Sequence, residues 1–233
     1  MMLRESDFPF LAEKDHVVSL VGGGGKTTLL YAMARHCASK GWRVLASTTT
    51  HIQRPEGNWA QTEAQRDALW RTGTFVVAGA PAEPNKLTQP HELQAWMAQA
   101  DAVFLEADGA RRLPCKAPAA HEPVLLPESD IVLAVAGLSA VGKPLAEVCF
   151  RLETACALLG VGSETLLTPE LLAKLLASDA GGRKNVGTRP FYAVLNQADT
   201  SERRAAREIT RQILQEQYGI TAVLTHFSEG ERA

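Results

Sequence analysis

Four consecutive glycines followed by a lysine and two threonines form the segment of this sequence best suited to binding phosphate. The run at residues 22–28 (GGGGKTT) lies between an apolar segment, residues 17–21, and a helical pattern. Glycines let the backbone turn tightly with its amides exposed, and the start of a helix favours an anion. In such a loop Lys26 is expected to reach the β- and γ-phosphates of a nucleoside triphosphate, and the Thr27 hydroxyl to bind Mg²⁺. The pattern is the short form GxxGK[ST], because Leu20 stands where the longer form GxxxxGK[ST] has its first glycine.

A second segment, residues 137–143, also has the spacing GxxxxGK. Pro144 follows it, and proline offers neither a hydroxyl for Mg²⁺ nor an N–H for phosphate. We therefore expect a loop beside the first site, in which Lys143 contacts substrate or nucleotide, rather than a second phosphate loop.

Two carboxylates stand where nucleotide sites usually carry a metal-binding acid. Glu106 ends an apolar run, and Asp108 begins a loop that continues with Gly109. Strand geometry places both side chains on one face. We expect Asp108 to hold the metal or orient a water molecule, and Glu106 to support the metal or act as a base. The alternative is a strand end with two solvated acids.

Hydroxyl, imidazole and basic groups follow other apolar runs. The threonines at residues 48–50 would bond Mg²⁺, its waters or phosphate, and His51 would position water or substrate, since open α/β sheets bind ligands at strand carboxyl ends. Arg111, Arg112 and Lys116 either clamp an anionic substrate or form a solvated basic loop. Cys115 beside them is a candidate for a lowered thiol pKa, although most single cysteines are not reactive.

A candidate for base recognition follows the apolar run at residues 191–195. The segment at residues 196–199 (NQAD) is similar to the NKxD signature of GTPases, with Gln197 in place of lysine. Asp199 would accept hydrogen bonds from guanine, Asn196 would brace the loop, and the stem of Gln197 would stack on the base. The pattern favours guanine over adenine and leaves an ordinary strand-end turn as the alternative.

These groups must be positioned by short apolar runs that alternate with helical patterns. Such runs are typical of buried parallel strands, and they lie at residues 16–21, 43–47, 74–78, 102–106, 131–136, 191–195 and 220–224. Helical periodicity covers residues 26–40 and 201–218, and Thr168 with Pro169 marks another helix start. The sequence therefore predicts an α/β fold that is P-loop NTPase-like, with a mostly parallel sheet flanked by helices in three layers.

Composition narrows the class of protein. The 233 residues carry 24 Lys and Arg against 26 Asp and Glu, a net charge of −2, which argues against an electrostatic nucleic-acid binder. No apolar run is long enough to span a bilayer, and no secretory signal is apparent. The four cysteines are scattered, as expected for reduced thiols. We expect a cytoplasmic protein with one domain over residues 1–233, no nucleic-acid partner and no membrane partner.

Taken together, the motifs GGGGKTT, TTTH, EADGARRLPCK, HEPVLLP, VGKPL and NQAD resemble the YqeC family, accessory proteins of selenium-dependent molybdenum hydroxylases. The resemblance runs from about residue 16 to residue 199. It implies a bacterial cytoplasmic P-loop protein tied to maturation of such a hydroxylase. The resemblance indicates the pathway more specifically than it indicates the chemical reaction.

The leading hypothesis is a Mg²⁺-dependent nucleoside triphosphatase, using GTP or ATP, that assists maturation of a selenium-dependent molybdenum hydroxylase, its molybdenum cofactor or a selenium species. The alternatives are a non-hydrolysing cofactor carrier or chaperone, and a small kinase or ligase. The predicted catalytic residues are Lys26, Glu106, Asp108 and His51. The predicted metal ligands are Thr27, Glu106 and Asp108. The predicted nucleotide-binding residues are Gly22, Gly23, Gly24, Gly25, Lys26, Thr27, Thr28, Asn196 and Asp199.

Overall fold

The fold centres on one sheet of eight parallel strands. It is seen in a computed structural model that describes residues 3–198 and 200–227. In spatial order the strands are β13 (Thr221–Leu224), β12 (Phe191–Asn196), β10 (Ile131–Gly137), β1 (His16–Gly22), β8 (Ala102–Glu106), β2 (Val44–Thr48), β5 (Val76–Ala78) and β4 (Trp59–Ala60).

Two smaller sheets and the helices complete the described architecture. An antiparallel sheet contains β3 (His51–Gln53), β7 (Lys86–Thr88) and β6 (Ala80–Pro81), and a parallel pair contains β9 (Cys115–Lys116) and β11 (Cys149–Phe150). Short 3₁₀ segments span Pro9–Ala12 and Leu138–Ala140. The helices are α1 (Lys26–Ala38), α2 (Glu63–Arg71), α3 (Leu93–Met97), α4 (Leu145–Val148), α5 (Leu152–Leu159), α6 (Pro169–Ala177) and α7 (Ser201–Tyr218).

Helices cover both faces of the large sheet. Because side chains alternate along a strand, Leu133 of β10 is buried with Met33 of α1, whereas its neighbour Ala134 is buried on the opposite face with Leu214 of α7. Helices α2 and α3 cover that second face further along the sheet. The predicted three-layer α/β fold is confirmed. No helix in the described part of the chain is long and apolar enough to cross a membrane.

The strand order decides which loops meet. Strand β1 lies between β8 and β10, and β12 lies beyond β10. In register, Leu20 pairs with Glu106, Gly22 with Val135, and Asn196 with Gly137. The carboxyl ends of these four parallel strands therefore lie side by side, which is where open α/β sheets bind ligands.

Candidate functional site

The glycine loop, residues 22–25, joins β1 to α1 in a conformation that side chains rarely adopt. Gly22, Gly24 and Gly25 have φ angles of +94°, +71° and +108°. A Cβ atom on Gly24 would lie 2.1 Å from the amide nitrogen of Gly137 at the end of β10. The loop therefore packs closely against neighbouring backbone, which leaves no room for a side chain at Gly24.

Three amides of the glycine loop are already bonded within the protein. The sequence predicts that successive glycine amides face an anion, and here the structure differs. The bonds run from Gly22 N–H to the Asp108 carboxylate (3.0 and 3.1 Å), from Gly23 N–H to Val135 O (2.9 Å) and from Gly24 N–H to Leu113 O (3.1 Å). The amides that remain for an anion are those at the start of α1, since the first four amides of an α-helix have no acceptor within it.

Lys26 is buried at the centre of the site and bonds to both predicted carboxylates. Its Nζ atom donates to Gly22 O at 2.6 Å, and lies 3.1 Å from Asp108 Oδ1 and 3.5 Å from Glu106 Oε1. Burial alone would lower the pKa of Lys26, but the two carboxylates outweigh it and raise the pKa above its ordinary value. Lys26 is therefore protonated and positioned as a fixed cation at the helix start.

Thr27 and Glu106 supply the oxygen atoms that a divalent cation would use. The Thr27 hydroxyl donates to Glu106 Oε2 at 2.7 Å. Burial raises the pKa of Glu106, and Lys26 opposes that effect. Among the described residues no group of three or more His, Cys, Asp or Glu side chains is placed to hold a metal. The Thr27 hydroxyl and the Glu106 carboxylate nevertheless fit Mg²⁺, because this ion binds one or two carboxylates and completes its coordination shell with water and phosphate oxygens.

Asp108 also begins a second arm of charges, in which Lys116 and Glu122 are buried and Arg151 is half-buried. Lys116 Nζ lies 3.0 Å from Asp108 Oδ2 and 2.9 Å from Glu122 Oε2, and Arg151 Nε donates to the same Glu122 oxygen at 3.1 Å. Burial would raise the pKa of Glu122, but the Ala119 amide, Lys116 and Arg151 lower it to about 2. Sequence reasoning missed Glu122 and Arg151. Glu122 lies in the quoted HEPVLLP motif, whereas no motif marks Arg151.

The end of β12 braces the glycine loop. Asn196 Nδ2 donates to Gly24 O at 2.9 Å, as the sequence predicts for a bracing residue. Gln197 differs from the expectation that it stacks on a base, because its Oε1 accepts a hydrogen bond from Ser139 Oγ at 2.5 Å. Asp199, the predicted base-recognition residue, lies outside the described residues.

The threonines at the end of β2 and just after it chiefly hold neighbouring backbone. Thr48 Oγ1 donates to Glu106 O at 2.8 Å, and Thr49 Oγ1 donates to Val124 O at 2.7 Å. Thr50 Oγ1 is buried without a hydrogen-bond partner among the described residues. His51 is exposed and begins β3, and it lines the cleft described next.

A cleft of about 1290 Å³ lies along these strand ends. Its lining includes Lys26, Glu106, His51, Asn196 and His121. Lys143 is exposed and is not part of that lining. The expectation that Lys143 contacts substrate or nucleotide is therefore not supported.

The segment at residues 137–143 does not form a second phosphate loop. A 3₁₀ turn, Leu138–Ala140, follows β10, and Gly142 N–H donates to Leu167 O. The helix that follows has only four residues. The anion-binding geometry of a loop entering a long helix is therefore absent from this segment.

Cys115 is a buried thiol with a raised pKa, whereas a reactive cysteine has a lowered one. It lies in β9, in register with Cys149 of β11, and both side chains are buried. The hydrogen bond with Cys149 and burial raise the pKa of the Cys115 thiol. The alternative of a lowered Cys115 pKa is wrong, because burial and the hydrogen bond with Cys149 both favour the neutral thiol.

Comparison with known proteins agrees with the motif pattern. A family model described as YqeC protein matches residues 18–153, which include the glycine loop and the ion pairs of Lys26, Lys116 and Arg151. The chain is also 30% identical over 227 residues to an Escherichia coli (strain K12) protein named Uncharacterized protein YqeC. That alignment covers 89% of this chain and 85% of the relative. The chain belongs to the YqeC family.

Proposed function

We propose that this protein binds a Mg²⁺–nucleoside triphosphate, GTP or ATP, and acts as a nucleoside triphosphatase. One observation carries the proposal: Lys26, at the start of α1, lies between the carboxylates of Glu106 and Asp108, with the Thr27 hydroxyl on Glu106. A fixed cation, a helix N-terminus and hard oxygen donors are the parts that phosphate and Mg²⁺ require.

Each group has a role in this proposal. Lys26 and the first amides of α1 would hold the β- and γ-phosphates, and Thr27 with Glu106 would hold the metal. Bound Mg²⁺ would neutralise phosphate charge in the reaction. Because Lys26 is bonded to two carboxylates in the structure, phosphate must compete with Glu106 and Asp108 for this lysine.

We further propose that nucleotide turnover serves maturation of a selenium-dependent molybdenum hydroxylase or its cofactor. The family resemblance supports this role. The contacts of Asp108 bear on the rate of hydrolysis. Its carboxylate accepts a hydrogen bond from the Gly22 amide and forms ion pairs with Lys26 and Lys116, so these partners would have to be displaced before it could orient a water molecule. A slow hydrolysis that increases when the partner binds is therefore expected.

The same engagement of Asp108 favours a second candidate, a nucleotide-dependent carrier that does not hydrolyse. Phosphate release measured with and without the apo-hydroxylase distinguishes the two. Release in either condition supports the triphosphatase, whereas tight nucleotide binding with no release in both supports the carrier.

Nucleotide binding itself is tested by thermal shift with ATP, GTP and CTP, each with and without Mg²⁺. A bound ligand at about 100 times its Kd stabilises by about 2.7 kcal/mol. We expect this stabilisation to require Mg²⁺. We also expect the control variant Lys143→Ala to keep it, because Lys143 follows a glycine as Lys26 does but is exposed. Absence of stabilisation by all three nucleotides would contradict the proposal.

A further inference from the structure

We propose that the cleft holds a second ligand, a small molecule bearing phosphate or carboxylate groups, bound by Arg111 and Arg112. Both residues lie in the arginine loop, residues 109–114, which lines the cleft. The ligand's role as second substrate rests on the proposed nucleotide-dependent activity. Its binding does not, because Arg111 and Arg112 form no hydrogen bond or ion pair with Lys26 or Thr27.

The size of the cleft leaves room for two ligands. Small-molecule sites commonly measure about 300–1,000 Å³, and this cleft measures about 1290 Å³. Its lining includes the start of α1, the arginine loop, Phe150 and Arg151. A nucleotide on the glycine loop would therefore leave part of the cleft open to a further small molecule.

The charged side chains at the cleft favour a negatively charged ligand. The ion-pair network at the cleft pairs three cations with three anions, namely Lys26, Lys116 and Arg151 with Glu106, Asp108 and Glu122. Arg111 and Arg112 have no ion pair or hydrogen bond among the described residues. They add two uncompensated positive charges to the cleft wall. Guanidinium groups bind phosphate and carboxylate bidentately, so an oxyanion is the matching ligand.

The backbone holds these arginines in uncommon conformations. Arg111 and Arg112 have φ angles of +48° and +64°, and Arg151 on the same wall has +64°. Residues other than glycine pay for such angles, and they cluster where a ligand is bound. Arg111 also stacks on Phe150, with its guanidinium carbon 5.2 Å from the ring centre. The backbone conformation, and for Arg111 the Phe150 ring, therefore position the two exposed arginines at the cleft wall.

The arginine loop is tied directly to the glycine loop. Leu113 O accepts from Gly24 N–H at 3.1 Å, and Pro114 O accepts at 2.7 Å from the amide of Gly137, at the end of β10. Leu113 immediately follows Arg112 in the chain. A change in the glycine loop on nucleotide binding would therefore move the two arginines, as expected for a two-substrate site.

The experiment measures binding of inorganic pyrophosphate and of citrate by isothermal titration. The protein is first saturated with Mg²⁺ and a non-hydrolysable GTP or ATP analogue, so that the glycine loop is occupied. The test variant is Arg111→Asn with Arg112→Asn, since asparagine tolerates positive φ. The control is Arg35→Gln with Arg71→Gln, which removes two exposed helical arginines that do not line the cleft.

We expect at least one probe to bind the wild type and the control, and to bind the test variant about tenfold or more weakly. Pyrophosphate alone binding indicates a phosphate ligand, and citrate alone a carboxylate ligand. Unchanged probe affinity in the test variant, or no probe binding to the wild type, overturns the inference. So does a test variant that loses the nucleotide analogue, because the arginines would then belong to the nucleotide's own site.

The same titrations distinguish a failure of the proposed nucleotide binding from a failure of the anion site. If no nucleotide analogue binds, the same titrations are made on the free protein. Probe binding that depends on Arg111 and Arg112 would then keep the anion site and reject the nucleotide site. Probe binding that does not depend on them would overturn the inference.

Discussion

Replacing Lys26 with alanine should destabilise the folded protein strongly, because it leaves a buried carboxylate without its cation. Glu106 would keep only the Thr27 hydroxyl, at 2.7 Å. Asp108 would keep Lys116, at 3.0 Å, and the Gly22 amide. Removing one partner of a buried ion pair costs about 3–5 kcal/mol, so we expect Lys26→Ala to lower the free energy of unfolding by that amount at pH 8.

The loss should grow as the pH rises. The pKa of Glu106 in the folded protein lies above its ordinary value of 4.5, so folding favours the protonated form. Its contribution is full below the unfolded pKa and is lost as the pH rises through the folded pKa. Without Lys26 that pKa rises further, so the variant loses stability over a wider range above pH 4.5. The added slope is at most about 1.4 kcal/mol per pH unit for one proton.

Urea denaturation from pH 5 to pH 8 measures this effect for the wild type, Lys26→Ala, and Lys26→Ala combined with Glu106→Gln. The double variant should be more stable than Lys26→Ala at pH 8, because it removes the uncompensated charge. Lys143→Ala, at an exposed position, should change stability by less than about 0.5 kcal/mol. A Lys26→Ala loss below about 1 kcal/mol that is constant with pH would refute the buried ion-pair network.

Two further substitutions test the surroundings of the site. Gly24→Ala should destabilise by about 1–3 kcal/mol or more in urea denaturation, because its Cβ would meet the Gly137 amide at 2.1 Å. Gly142→Ala is the matched control, since its φ of +81° imposes similar strain with nothing within 4 Å, and equal losses would contradict the close approach. Glu122→Gln should remove stability that the wild type has above pH 4.5 and loses as the pH falls toward the Glu122 pKa of about 2. Acid titration of unfolding checks this, and identical curves for Glu122→Gln and the wild type would show that the carboxylate is not held by its partners.

Much of the sheet could be predicted from the sequence because its central strands are continuous apolar runs. Ile131–Gly137, for example, is buried along its whole length. The edge strand Trp59–Ala60 has two residues and no periodicity, so no pattern predicts it. Helix α2 is not marked by strong periodicity, although Thr62 and Gln65 form a capping box that is a readable signal.

The positions of the candidate site residues could be predicted where a motif lies at a strand end or shortly after it, as for Lys26, Glu106 and Asp108. Pairings that depend on distant register could not. The bond between Glu122 and Arg151 requires β9 to lie beside β11, and two-residue strands carry no periodic signal. The glycine-loop amides bond to carbonyl oxygens of β10 and of the arginine loop. These bonds likewise depend on strand order, which no local pattern reveals.

Mg²⁺-dependent nucleotide binding by Thr27→Val, compared with the wild type and Thr27→Ser, tests the central claim most directly. Valine keeps the size and removes the hydroxyl that bonds Glu106, whereas serine keeps a hydroxyl. Isothermal titration with Mg²⁺–GTP and Mg²⁺–ATP should show binding that Thr27→Val weakens by about 10–100-fold and Thr27→Ser largely keeps. Equal affinity in all three proteins, or no binding in the wild type, would contradict a nucleotide and metal site at the start of α1.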